Sequence, residues 1–103
     1  YHVTENFIKK KSVDDNLPSA NKSLITQCIG NFKQPLNIHI DNFEWKVEDY
    51  IILMSDGISD YISENIILEL VNSNNTNKAK LLCDEAVKLG STDDVSAIVL
   101  KYD

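Results

Sequence analysis

The sequence predicts an α+β fold, and three observations support this prediction. The first is an apolar run at residues 50–54 that leads directly into Ser-Asp-Gly, a pattern typical of a strand covered on both faces. The second is a pair of helical apolar stripes that follow it. The third is a strand at residues 95–102, close to the end of the chain, which is apolar on both alternating faces and is also expected to be covered on both sides. A chain of 103 residues suits one small domain with its own core.

The first half of the chain carries weaker signals. Residues 1–8 alternate imperfectly and predict an initial strand, and the polar composition of the following residues predicts a loop. Residues 23–29 predict a short helix or turn that Gly30 ends. Clean alternation over residues 36–41 predicts a half-buried strand. On that strand, a solvated side chain explains His39 better than a catalytic base does.

The second half predicts two amphipathic helices. We expect Ser63 to cap the first and Thr76 the second, with Gly90 as the stop signal of the second. These stripes fit core packing better than a cofactor site, and Phe43 and Trp45 are also expected to fill core space. The predicted faces are Ile62, Ile66, Ile67, Leu70 and Val71 on the first helix, and Ala79, Leu82, Cys83, Ala86 and Val87 on the second.

Each of the two apolar strands, 50–54 and 95–102, has an aspartate at one tip. Asp56 follows the first strand, and Asp93 precedes the second. If the strands pair antiparallel, the end of one lies beside the start of the other, so the two carboxylates meet at one edge of the sheet. Gly57 lacks the side chain that would block a close approach by a ligand or by neighbouring backbone.

Composition excludes several functional classes. The net charge of −6 disfavours binding to nucleic acid phosphates. No apolar run is long enough for a transmembrane helix, so we expect no membrane partner. With no visible signal peptide and two cysteines that fit reduced thiols, we expect a cytoplasmic location. The first residue is tyrosine, and we expect the chain to be a piece of a longer product.

Clustered carboxylates with little cationic compensation suit a hard divalent ion. Magnesium and manganese take one or two carboxylates and keep several waters. A paired-metal site can lower the pKa of a bound water and hold a phosphoryl group for in-line attack. A single Ser-Asp-Gly is more simply a turn, so the metal interpretation depends on both strand tips together.

Two stretches resemble a known family. Residues 51–60, ending Ser-Asp-Gly-Ile-Ser-Asp, are similar to the Ser-Asp-Gly motif of metal-dependent protein phosphatases of type 2C. Residues 90–96, Gly-Ser-Thr-Asp-Asp-Val-Ser, resemble that family's closing Gly-Ser-x-Asp-Asn-x-Thr motif. The similarity extends over roughly residues 23–101. It implies part of an antiparallel β-sandwich flanked by helices, with only the C-terminal half present, and one partial domain over residues 1–103.

The resemblance also implies a two-metal site for Mg²⁺ or Mn²⁺ that this chain supplies only in part. Asp56 and Asp93 match metal-ligating positions of the family, and Gly57 belongs to the first of these motifs. Asp94 stands where the family usually has asparagine, so the choice of ligand between Asp93 and Asp94 stays open. Residues 9–22 would form a shortened version of the family's flap.

The family's first half is missing, because the chain contains no Gly-Gly and therefore no Asp-Gly-x-Gly-Gly metal motif. We expect the missing N-terminal half, or another chain, to complete the sheet. The resemblance implies hydrolysis of phosphoserine or phosphothreonine in a phosphoprotein substrate by a metal-activated water, with the isolated chain inactive. Two alternatives stay open. One is a non-catalytic binding module on the same fold, and the other is an unrelated small α+β domain with chance motif matches.

Overall fold

The computed structural model describes residues 1–15, 29–30 and 35–103. The chain comprises two compact units, one formed by Tyr1–Lys10 with Glu44–Asp103 and the other by Lys11–Phe43. Within the described ranges, every helix and strand belongs to the first unit. No helix in these ranges is long and apolar enough to cross a membrane.

The first unit confirms the α+β prediction. It contains a four-stranded antiparallel sheet in the order β2-β1-β3-β4, with three helices. The strands are β1 (His2–Val3), β2 (Ile8–Lys9), β3 (Tyr50–Met54) and β4 (Ala97–Lys101), and the helices are α1 (Asp56–Ser59), α2 (Glu64–Asn72) and α3 (Lys78–Lys88). The predicted initial strand is therefore two short strands joined by a turn.

The core lies between one face of the sheet and the helices. Ile52, in the central part of β3, is 1% exposed and packs with the apolar stripes of α2 and α3. The other buried apolar residues of this unit are Val3, Ile58, Ile62, Ile67, Val71, Leu82 and Ala86. The predicted helical faces are thus largely confirmed, but Val87 is 58% exposed and lies outside the core.

Local signals account for the helix ends. The Ser63 hydroxyl accepts a hydrogen bond from the Ile66 main-chain N–H at 3.4 Å, which confirms the predicted cap of α2. The prediction of Thr76 as the cap of α3 was wrong, because the Asn77 side chain accepts from the Lys80 N–H at 3.1 Å. Gly90 follows α3 with φ of +97°, a conformation that favours glycine and ends the helix as predicted.

The prediction that β3 and β4 are covered on both faces was wrong. Leu53 is 55% exposed and Ile98 is 56% exposed. These two residues are partners in the β3–β4 register, as are Ile51 and Leu100, so all four side chains share the sheet face opposite the helices. We call this surface the open face. The apolar residues of the open face led to the prediction of a strand buried on both sides, but no described residue of this unit covers this face.

Two predictions for the second unit, a strand at residues 36–41 and a buried Phe43, were wrong. Residues 36–41 form no strand and are exposed, and so is Phe43, which was expected in the core. Alternation alone does not make a strand, because the backbone also needs a neighbouring strand to complete its hydrogen bonds. His39 is solvated, as expected, but not on a strand. Of the predicted helix or turn at residues 23–29, only Ile29 lies within the described residues.

A buried hydrogen bond joins β1 to Asp49, the residue directly before β3. The Nε2 atom of His2 lies 2.9 Å from Oδ2 of Asp49, and the two residues are 8% and 9% exposed. The Lys46 main-chain N–H donates to the same oxygen at 3.1 Å, and the Trp45 indole N–H donates to the Asp49 carbonyl at 3.2 Å. Trp45 also packs edge-on against Tyr102, so it contacts residues near Asp49 and the end of β4 rather than the main core.

We expect the stabilisation from Asp49 to disappear in acid. Hydrogen bonds from His2, and then from the Lys46 N–H, hold the Asp49 pKa below its ordinary value of 3.8. The folded protein therefore binds fewer protons at this group than the unfolded chain does. The contribution is complete above pH 3.8 and is lost as the pH falls through the lower folded pKa. Urea unfolding should give a lower free energy of unfolding for Asp49→Asn than for the wild type at neutral pH, and the difference between the two proteins should narrow in acid. A difference that stays the same from neutral to acid pH would contradict this prediction.

Candidate metal centre

The register of β3 and β4 brings the two sequence motifs to one edge of the sheet. The strands pair antiparallel with Met54 opposite Ala97, as the prediction required. The ladder continues one step further, because the Ser55 N–H donates to the Ser96 carbonyl at 3.0 Å. Asp56 directly follows this step on one strand, and Asp94 lies two residues before it on the other. The ends that carry the predicted acids are therefore neighbours.

Gly57 is the point of closest approach between the two motifs. An added Cβ at this position would lie 2.2 Å from the main-chain oxygen of Asp94 and 3.3 Å from Cβ of Asp93. Both distances are shorter than ordinary van der Waals contact, so only a residue without a side chain fits here. The predicted close approach is thus confirmed, and the neighbour is backbone of the second motif.

Two serines that the sequence did not single out hold the motifs together. The Ser55 hydroxyl donates to the Asp94 carbonyl at 3.1 Å and accepts from the Ser96 N–H at 3.0 Å. The Ser91 hydroxyl donates to the Gly57 carbonyl at 2.7 Å. Only their positions in the sequence could have indicated this role: Ser55 directly precedes Asp56, and Ser91 lies two residues before Asp93. These bonds hold the backbone around the acids in place and do not involve the carboxylate oxygens.

The acidic side chains themselves face solvent. Asp56 begins α1, a short helix that the sequence did not predict, and it is exposed like Asp93 and Asp94. One oxygen of Asp93 accepts the Asp94 N–H at 2.8 Å, which leaves its second oxygen for a ligand. Exposed carboxylate oxygens are the donors that Mg²⁺ and Mn²⁺ prefer.

In the described part of the chain, these acids do not form a complete metal site by themselves. Throughout residues 1–15, 29–30 and 35–103, no group of three or more acidic, histidine or cysteine side chains is arranged to hold a metal ion. Magnesium is commonly bound through one or two protein carboxylates, with other oxygen ligands completing its shell. The carboxylate oxygens therefore suit such an ion, but they are too few to complete its coordination shell.

Comparison with known proteins identifies the family. The profile of the family described as Protein phosphatase 2C matches residues 37–95, more than half of the chain, and this range includes Asp56, Gly57, Asp93 and Asp94. No curated protein matches the chain. The matched family comprises metal-dependent serine/threonine phosphatases, which act on phosphoproteins and generally use Mg²⁺ or Mn²⁺. The match covers the first motif, the helices between the motifs and all but the last residue of the second motif, and the chain belongs to the protein phosphatase 2C family.

Proposed function

We propose that this chain is the C-terminal part of a metal-dependent serine/threonine protein phosphatase domain, and that it contributes half of the metal site. The observation that carries this proposal is the close packing of Gly57 against the backbone of Asp94 and the Cβ atom of Asp93. It brings together two motifs that are far apart in sequence, and the aspartates of both motifs are exposed. Family membership supports the same chemistry.

In this proposal Asp56 and Asp93 hold the metal ions, and Asp94 is the alternative ligand within the second motif. Gly57 keeps the two motif backbones in contact, while Ser55 and Ser91 fix them by hydrogen bonds. When bound, the metal supplies a water of lowered pKa and charge neutralisation for the phosphoryl group. The two acids contribute anionic oxygens at fixed backbone positions, which orients that chemistry towards a phosphoserine or phosphothreonine of a protein substrate.

The open face supports a further part of the proposal. Two apolar sheet faces pack against each other in a β-sandwich, and an apolar face left in water is unfavourable. We propose that a second sheet covers Ile51, Leu53, Ile98 and Leu100, supplied by the missing N-terminal half or by another chain. Residues 1–103 would then be one partial domain, with residues 9–22 as its flap.

Manganese binding tests the metal assignment directly. Titration calorimetry of this chain should give a saturable Mn²⁺ signal that weakens at least about tenfold in the Asp56→Asn, Asp93→Asn double variant, since both ligands are lost. The matched control is Glu69→Gln with Asp84→Asn, which removes the same charge from exposed positions on α2 and α3. Equal weakening in both double variants would contradict a site at Asp56 and Asp93.

The single variants Asp93→Asn and Asp94→Asn distinguish the two candidate ligands of the second motif. We expect the larger loss of Mn²⁺ affinity with Asp93→Asn. The isolated chain should show no appreciable turnover of a phosphopeptide, because it supplies an incomplete metal shell. Robust metal-dependent turnover would contradict the assignment of half a site.

A non-catalytic binding module is the second candidate. The observation that favours it is the lack of a three-residue metal cluster in the described part of the chain. In such a module, Asp56 and Asp93 would be surface acids, and Mn²⁺ would bind no better to the wild type than to the double variant. The same calorimetric experiment therefore separates the two candidates.

A further inference from the structure

A cavity lined by both polar and apolar side chains lies at the opposite end of β3 from the acidic motifs. Its volume is about 330 Å³. Tyr50, the first residue of β3, forms part of its wall, and Asp56 is six residues further along the chain, at most roughly 20 Å away for an extended strand. The other lining residues are Asn75, Thr76, Asn77, Lys78, Ala79, Val99 and Lys101.

Two lysine ammonium groups converge on this cavity from different elements. Nζ of Lys78, at the start of α3, lies 5.4 Å from the centre of the Tyr50 ring, and Nζ of Lys101, at the end of β4, lies 6.0 Å from it. Lys101 is the register partner of Tyr50, so the pairing of β3 with β4 fixes this arrangement.

Both ammonium groups keep donors for a ligand. Lys78 gives one hydrogen bond to the Ser73 carbonyl at 2.6 Å, and Lys101 pairs with Glu48 at 2.8 Å. Each ammonium carries three N–H donors, so two remain on each. Burial, and then the charge of Lys101, lower the Lys78 pKa, whereas the hydrogen bond with Glu48 is the main cause of a raised Lys101 pKa. An anion placed between the two ammonium groups would relieve the repulsion between them.

Neutral donors complete the cavity wall. The side-chain oxygens of Asn75 and Asn77 accept main-chain N–H groups at 2.8 and 3.1 Å, which leaves their NH₂ groups as donors. Thr76 adds a hydroxyl group. Two cationic groups together with amide and hydroxyl donors match a compact tetrahedral oxyanion, whose oxygens accept several hydrogen bonds at once.

We propose that this cavity, between Lys78 and Lys101, binds a phosphoryl group, either as free phosphate or as a phosphorylated side chain of a peptide. The volume exceeds that of a single phosphate ion and leaves room for an attached residue. The site lies away from Asp56 and Asp93, so binding here needs no divalent metal. It would give the protein a docking point for a phosphate that is distinct from the proposed metal centre.

The test is a two-dimensional ¹⁵N–¹H NMR titration at neutral pH in EDTA and constant ionic strength. The probes are inorganic phosphate, a phosphoserine peptide and the same peptide without phosphate. We expect saturable shifts at Tyr50, Lys101 and residues 76–79 with the two phosphorylated probes only. Tighter binding of the peptide would identify a peptide-borne phosphate as the ligand, and equal binding would identify free phosphate.

Charge-matched variants make this test specific. Lys78→Gln with Lys101→Gln should weaken binding at least about tenfold, because two charge-assisted bonds are lost. The control, Lys80→Gln with Lys88→Gln, removes the same charge from elsewhere on α3 and should leave the affinity unchanged. Arginine at positions 78 and 101 should preserve binding. The Glu48→Gln variant, which releases Lys101 from its ion pair, should strengthen binding by about threefold.

The shifts themselves decide whether the proposal fails. If they are spread over all the lysines, or are equally weakened in both charge-matched variants, phosphate acts only through the overall charge and the proposal is overturned. Localised shifts that survive in Lys78→Gln with Lys101→Gln would also overturn it. Because EDTA removes divalent ions, neither result bears on the proposed metal centre.

Discussion

The Gly57→Ala variant should be strongly destabilised. Its new methyl group would lie 2.2 Å from the main-chain oxygen of Asp94 and 3.0 Å from the carbonyl carbon. Both atoms belong to the backbone, so no side chain can rotate away, and either α1 or the Asp93–Asp94 segment has to move. Forcing an extra methyl into such a contact typically costs about 1–3 kcal/mol, and sometimes more. Urea unfolding followed by circular dichroism would measure this loss as a lower transition midpoint.

The same substitution should affect metal binding by more than its effect on stability. Moving the Asp93–Asp94 segment away from α1 separates Asp56 from Asp93, so Mn²⁺ affinity should fall even in conditions where the variant is folded. Ser59→Ala is the matched control, because it changes the same short helix, at a half-buried position, without approaching the second motif. Wild-type stability in Gly57→Ala would show that the two motifs are not in contact.

Truncating neighbouring residues of β3 should have very different effects. Ile52 is 1% exposed and packs in the core, whereas Leu53 is 55% exposed on the open face. Ile52→Ala removes buried methyl groups and leaves a cavity, which typically lowers the free energy of unfolding by about 2–5 kcal/mol. Leu53→Ala removes side-chain atoms that are already in contact with water, so its cost should be within about 1 kcal/mol.

This pair of variants also tests the proposed sandwich. Both substitutions shorten an aliphatic side chain on the same strand, so differences in strand propensity are small compared with the difference in burial. Chemical denaturation of the two variants gives the comparison directly. If Leu53→Ala is as costly as Ile52→Ala, the open face is already covered in this chain by a second copy or by its own residues. Repeating the measurement with a second half present should raise the cost of Leu53→Ala selectively.

Periodicity predicted most of the secondary structure of the first unit. The apolar stripe of α2 and its Ser63 cap were both readable, because helical spacing and N-terminal capping are local properties of the sequence. Residues 36–41 show the limit of such reasoning. Their alternation suits one face of a strand, but a strand exists only where another strand receives its hydrogen bonds, and sequence spacing does not supply that partner.

At the candidate site, too, the sequence predicted some features and missed others. The acids at the strand tips were identified from the sequence, and their meeting was conditional on antiparallel pairing. The α1 helix was missed, because four residues are too few to show a helical period. Ser55 was also missed as a bridge, since its two hydrogen bonds reach residues 39 and 41 positions away in the chain.

By itself, the sequence of this phosphatase-family chain determined the two strands with acidic tips, the two helices between them and the need for a residue without a side chain at position 57. These depend on residue type and local period. Only the tertiary structure decided which backbone approaches Gly57, which face of the sheet stays open, and that Lys78 and Lys101 meet at Tyr50. Each of these depends on strand register and helix placement, which arise from contacts between distant parts of the chain.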